Sequence, residues 1–346
     1  MSIHRGDNMR FSDEKKKSII LYLLNKIAQN AENPSKIVSD AFEVNRNTIH
    51  TYINDLEKNN IIKRVKRGKY ELVSSSYSYC FLKEKNEIKN ETDIYNKTLK
   101  QHIDDFPQNV KEIWEYSFSE MVNNVIDHSN ANLLDIYIVK NFLKTTVFIS
   151  DDGIGIFEKI RKYFNLSSLD DAICELFKGK LTTDKDNHSG EGIFFSSKLM
   201  DDFAILSSDK IFEADEFDKS IITMLDTPEI GTLVVMELSN NTQKTCKEIF
   251  DKFSDVNGGF TKTVIPLKNI FDASPISRSQ ARRVLNSLDK FEEIILDFNG
   301  IGWMGQGFAH QIFVVFNLSQ PDIRITPINM NEDVTKMYNH VLKTNS

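Results

Sequence analysis

The apolar run TTVFIS, residues 145–150, breaks without a spacer into DDGIGIF. Alternating β-branched and aromatic residues make this run a strand, and a second such run, LLDIYIVKN, precedes it across a short polar turn. A strand that stops at two acids and then passes through two glycines constrains the fold strongly. The chain must bend at the end of a buried strand, with backbone that can lie close to a flat ligand. Asp151, at the strand end, is placed to accept a hydrogen bond from an exocyclic amine. Gly153 and Gly155 give the loop its close approach and its bend.

Two neighbouring stretches give this loop a context. VKEIWEYSFSEMVNNVIDH, residues 110–128, has the apolar spacing of one long amphipathic helix. Glu120 and Asn124 stand one turn apart on it, and Asp127 and His128 extend that side by another turn. A carboxylate and a carboxamide so placed can hold a water and a hydrated divalent cation together. Downstream, GEGIFFSSKLMDDF is a second glycine pair opening a helix, and amides there form a cradle for phosphate. Further strands are expected at FAILSSDKIF, KSIITML and GTLVVMELS.

ExxxN at 120–124, DxGxG at 151–155 and GxG at 190–192, with Gly231-Thr232 opening a later strand, resemble the motifs of the GHKL, or Bergerat-fold, ATPases. The resemblance covers roughly residues 106–240 and implies an α/β sandwich that binds ATP with Mg²⁺. It implies that Asp151 takes the adenine amino group and that Gly153 and Gly155 line the purine pocket. Asn124 would hold Mg²⁺ against the phosphates, and Glu120 would orient or deprotonate the attacking water. The amides around Gly190, Glu191 and Gly192 would cradle phosphates, and Thr232 would support the adenine through water. Residues 156–189 would form a lid, and Lys178, Lys180 and Lys185 are its candidates for the γ-phosphate, beside the plain reading of a solvated lysine cluster. Two departures stand out. The second glycine box reads GEGIFF rather than GxGLG or GxGLS, and no catalytic-lysine region follows. Hydrolysis that is slow, or that requires a homodimer, fits this pattern.

Net charge is −7, unevenly spread: residues 9–73 carry 13 Lys/Arg against 8 Asp/Glu. A basic head on an acidic body directs the head alone toward a polyanion. In the head, helical spacing at residues 14–29 is followed by NPSKIVSDAF, with Ile37, Val38 and Ala41 inward, and by NTIHTYINDLEKNN. IIKRVKRGKYELV then reads as a hairpin with a basic tip. This order resembles the winged helix-turn-helix of bacterial transcription regulators. The resemblance implies DNA contact through residues 36–70: Arg46, Asn47, His50 and Thr51 in the major groove, Lys63, Arg64, Lys66, Arg67 and Lys69 on phosphates. The alternative is a protein-binding winged helix with a solvated basic edge. Residues 76–105 read as a linker passing into a helix. His102 and Pro107 within and just beyond it have phosphoacceptor-box spacing, but no dimerising helical hairpin fits before residue 120.

Residues 250–346 alternate strand and helix, as in a small α/β sandwich. ILDFNGIGWMGQGFAHQIFVVF resembles STAS-like domains of unknown function that accompany such ATPase modules, and implies a docking surface for a protein partner or a scaffold. Gly305, Gln306 and Gly307 stand where anti-sigma antagonists carry a phosphorylatable serine, which argues against that switch. The expected fold class is therefore α+β multidomain, with a winged helix-turn-helix (1–75), a linker (76–105), a Bergerat ATPase-like domain (106–245) and a STAS-like domain (250–346). The expected function is an ATP-gated DNA-binding regulator, the alternatives being an anti-sigma-type kinase and a nucleotide-sensing interaction protein. No apolar run approaches the length of a membrane span, and Cys80, Cys174 and Cys246 stand far apart, which sets aside a disulfide framework or zinc site. A cytoplasmic location is the default expectation.

Overall fold

The computed structural model describes residues 12–180, 190–214, 230–271 and 273–344. The chain forms two compact units. The first holds the head through Tyr77 together with Val139–Thr145 and Ser239–Asn241, and the second holds the rest.

In the first unit, Ser12 caps α1 (Asp13–Ala28) by accepting the Lys15 amide. Pro34 opens α2 (Pro34–Phe42), and Asn45 caps α3 (Arg46–Lys58) through the Asn47 amide. β1 (Ile62–Lys66) and β2 (Lys69–Leu72) pair antiparallel around Arg67 and Gly68, whose φ of 75° suits the turn. Ile19, Leu23 and Leu24 meet Val38, Ile49, Ile53 and Leu56 in one core, and Ile62, Tyr70 and Leu143 close it. Ile37 is half-buried and Ala41 exposed, so α2 offers this core a narrower stripe than its spacing predicts.

The six-stranded sheet runs in the order β3-β4-β5-β8-β6-β7. Its strands are β3 (Ser75–Leu82), β4 (Leu133–Lys140), β5 (Lys144–Asp151), β6 (Asp202–Ser207), β7 (Lys210–Glu213) and β8 (Thr232–Ser239). Residues 76–105, expected as a linker, instead supply edge strand β3 and the short helices α4 (Glu91–Lys97) and α5 (Lys100–Ile103). Their apolar residues Ile94, Tyr95, Leu99 and Ile103 are buried, a load too sparse to show as a period. α6 (Gln108–Asn124) buries Trp114 and Phe118 completely and packs on α9 (Gly192–Leu199). α7 (Ile156–Tyr163) and α8 (Leu169–Lys178) lie between β5 and α9 in the chain. The expected strand KSIITML and Lys185 lie outside the described residues.

After α10 (Cys246–Phe253) comes a parallel sheet of β9 (Lys262–Pro266), β10 (Glu293–Asp297) and β11 (Arg324–Ile328), with β10 central. Glu293 faces Lys262 and Arg324 across both seams and pairs with them at 2.9 and 2.6 Å. α11 (Leu267–Ile270), α12 (Arg278–Leu285), α13 (Gln306–His310), α14 (Asn317–Ser319) and α15 (Glu332–Lys343) accompany the sheet, a π-helical turn joining α13 to α14. The core of this part is not its own: it includes Phe194 and Phe195 of α9, beside Phe253, Phe260 and Phe291. Residues on either side of the expected boundary at 245–250 thus belong to one compact unit.

Candidate ligand cavity and basic head

β5 ends where its alternation sends the two acids opposite ways. Asp151 is 5% exposed, whereas Asp152 is exposed. Asp152 Oδ1 accepts the amides of Asn132 (2.7 Å) and Leu133 (2.9 Å), fixing the chain as it enters β4. Asp151 Oδ1 accepts the Gly153 amide at 2.8 Å. Burial pushes the Asp151 carboxyl up to about 6, against the opposing pull of the Gly153 and Thr232 amides. At pH 7 it is a largely desolvated carboxylate, suited to receive a ligand's donor.

The loop is clamped on several sides. The Ile154 amide donates to the Ser129 carbonyl (2.9 Å), and a Cβ on Gly153 would lie 2.3 Å from that oxygen. A Cβ on Gly231 (φ 102°) would lie 1.9 Å from the Asp151 carbonyl oxygen. Thr232 Oγ1 accepts the Ile156 amide at 3.1 Å, tying β8 to the first turn of α7. Two glycines are thus required by the closeness of neighbouring backbone.

α6 ends at Asn124, and a π-helical turn, Val125–Ser129, follows, where the sequence predicts continuous helix to 128. In this turn Asp127 is exposed rather than on the cavity side as expected, while His128, expected there, and Ser129 line the cavity. Glu120 lies against the start of α9, since a Cβ on Gly192 would come within 2.0 Å of its Oε2. That end of a helix favours a carboxylate. Burial raises the Tyr116 hydroxyl, with Glu120 and Glu191 adding to the effect.

These elements enclose a cavity of about 260 Å³. Glu120, Asn124, Asp151, Gly155, Gly190, Gly192 and Thr232 all line it. Gly153 and Glu191 do not: one serves Asp151 through its amide and the other is the N-cap position of α9. Met121, Ile154, Ile160, Leu176 and Val234 supply apolar wall. His128 and Lys159 also line it, and Lys159 Nζ donates to the His128 carbonyl at 2.8 Å. Sequence reasoning missed Lys159, because a lysine on a short polar helix face gives no signal distinct from solvation. Among the described residues no three His, Cys, Asp or Glu stand together as a metal cage. Glu120 and Asn124 are the side chains of α6 that bring oxygens to the cavity lining.

Lys178, expected in a lid, is instead fully buried and bonded to Glu175 and to carbonyls of Arg283 and Asn286. Lys180 donates to the Lys290 carbonyl at 3.1 Å. In GEGIFF, Phe194 and Phe195 fill the aromatic core shared with β9 and β10.

In the head, Arg46, Asn47, His50 and Thr51 are exposed along α3, and Lys63, Arg64, Lys66, Arg67 and Lys69 are exposed on the hairpin. Arg46 Nε donates to Ser35 Oγ on α2 (3.2 Å). Arg64 pairs with Glu57 at 2.9 Å and Lys63 with Glu71 at 3.4 Å, whereas Lys66, Arg67 and Lys69 crowd the tip.

With the geometry in view, residues 280–335 match the family described as STAS-like domain of unknown function (DUF4325). The match starts in α12, covers β10 and β11, and ends at the start of α15. No curated protein matches the chain. No helix among the described residues is long and apolar enough to cross a membrane.

Proposed function

We propose that the cavity binds ATP as the Bergerat-fold ATPases do, and that the head is a winged helix-turn-helix whose DNA engagement answers to that binding. The observation that carries the reading is Asp151, a buried carboxylate at the end of a strand, lining a partly apolar cavity that a glycine-opened helix also lines. The apolar wall suits a purine, and Asp151 suits its exocyclic amine. Amides at the start of α9 suit phosphate oxygens. Lys159 adds a cation to the same cavity. Bound with the nucleotide, Mg²⁺ would neutralise phosphate charge, with Asn124 and Glu120 as its protein neighbours. Glu120 is the group in position to orient a water toward the terminal phosphate, so it governs turnover rather than affinity.

The head reading is supported by the exposed polar face of α3 and the basic hairpin tip in one compact unit. Fluorescent adenine-nucleotide titration of the full chain tests the cavity. Asp151→Asn should abolish saturable binding, while Glu120→Gln keeps it and lowers phosphate release. Equal affinity of Asp151→Asn and the unaltered chain would overturn the assignment. DNA affinity measured with and without ATP tests the coupling, and identical values at saturating nucleotide would refute it.

A further inference from the structure

One wall of the cavity is built on the C-terminal part of the chain. Leu176 and Gly179 line the cavity, and between them in sequence stand Phe177 and Lys178. The Lys178 ammonium has three protons and three acceptors: Glu175 Oε1 at 2.6 Å, the Arg283 carbonyl at 3.0 Å and the Asn286 carbonyl at 2.8 Å. Those carbonyls lie in the last turn and at the C-cap position of α12, so a lysine from the cavity wall caps a helix of the STAS-like region. Asn286 Nδ2 returns a bond to Glu175 Oε1 at 3.1 Å, and buried Thr263 of β9 donates its hydroxyl to the Lys178 carbonyl at 2.8 Å. Lys180 and Lys290 exchange ammonium-to-carbonyl bonds in both directions. Gly179 sits with a φ of 74°, its missing Cβ 2.8 Å from the Phe260 ring. On the next segment, Phe194 lines the cavity while packing edge-to-face against Phe253 and at a tilt against Phe260.

We propose that the STAS-like region sets the affinity of the cavity through Lys178, a positioning residue that locks the 176–180 wall to the C-terminal end of α12. A buried ion pair contributes little net stability compared with an apolar pair of similar volume, so its consequence is geometric. A change at residues 283–290 then changes ligand affinity, and ligand in turn changes the order of residues 283–290, by the same factor. The identity of the ligand rests on the ATP reading; the lock does not.

The test is amide hydrogen exchange on the full chain, comparing the unaltered protein with Glu175→Gln/Lys178→Met, which removes both charges and conserves volume. Without ligand, exchange at 176–180 should rise about tenfold, while 262–266 and 293–297 keep their protection. With Mg-ATP, affinity should fall about tenfold, and the protection that nucleotide confers on 283–290 should disappear. Asn286→Ala, which removes only the side-chain link, should shift both readouts the same way by less, and it carries the test should the double variant fold poorly. Unchanged exchange at 176–180 in the variant overturns the lock. A nucleotide that protects only residues around Asp151, and never 283–290, overturns the coupling. If Mg-ATP protects no segment while 176–180 still loosens, the ATP reading fails and the lock stands.

Discussion

Asp151→Asn should make the protein more stable while removing its nucleotide binding, and the size of the gain follows from the carboxyl's surroundings. Burial raises this group from its ordinary 3.8 to about 6. At ~1.4 kcal/mol per pH unit that rise amounts to about 3 kcal/mol of differential stability. The folded state holds the proton more tightly than the unfolded chain. The contribution of Asp151 is therefore fully present below pH 3.8, declines as pH rises toward 6, and stays lost above it. Asparagine carries no charge to desolvate and its oxygen can still accept the Gly153 amide, though its NH₂ needs a partner, so a gain of about 1–3 kcal/mol is expected at pH 7.5. In a unit of this size that is about 2–4 °C in Tm per kcal/mol. The chain has two tryptophans, and Trp303→Phe leaves buried Trp114 on α6 as the sole reporter of the cavity-bearing unit. Melting curves in that background, from about pH 4 to 8, give the difference in stability between the chain that keeps Asp151 and the Asp151→Asn variant. The difference should grow in favour of asparagine up to about pH 6.5 and then level. A difference that ignores pH, or one favouring aspartate at pH 7.5, would refute the reasoning.

Gly231→Ala places a Cβ 1.9 Å from the Asp151 carbonyl at a φ of 102°, so it should cost at least about 2 kcal/mol and abolish nucleotide binding; melting and titration read both. Asp152→Ala removes the acceptor of two amides and should lower stability by about 1–3 kcal/mol with nucleotide affinity retained, measured by the same pair of assays. Lys66→Ala/Arg67→Ala should weaken DNA binding alike across sequences. The slope of log affinity against log salt should fall by about 0.9 for each phosphate that is no longer neutralised, read by titration at several salt concentrations.

What the sequence showed of this site, and what it hid, divide along the range of the interactions. Helical spacing put Glu120 and Asn124 on one side of α6 and strand alternation put Asp151 at a strand end, but it was the resemblance to the Bergerat-fold motifs that singled the three out; all three line the cavity. The π-helical turn after Asn124 was not legible: nothing in VIDHS marks an added residue, yet the cavity keeps the expected His128, loses Asp127 and gains Ser129. The role of Asp152 was not legible because its two amide partners are 19 and 20 residues earlier. Lys178 carried the signature of a solvated lysine, and its burial is made tolerable by Glu175 one turn earlier together with two carbonyls more than 100 residues later. The strand at 75–82 was hidden by a serine-rich composition, since an edge strand needs few apolar residues.

The aromatic seam has a consequence for inheritance. Phe194 and Phe195 on one side, and Phe253, Phe260 and Phe291 on the other, share one interior. A recombination that moved either side to a new chain would uncover rings on both fragments and favour their aggregation. The STAS-like region of this lineage is therefore expected to travel with the α9 segment that fills it, and substitutions at the five rings to be accepted in concert rather than singly.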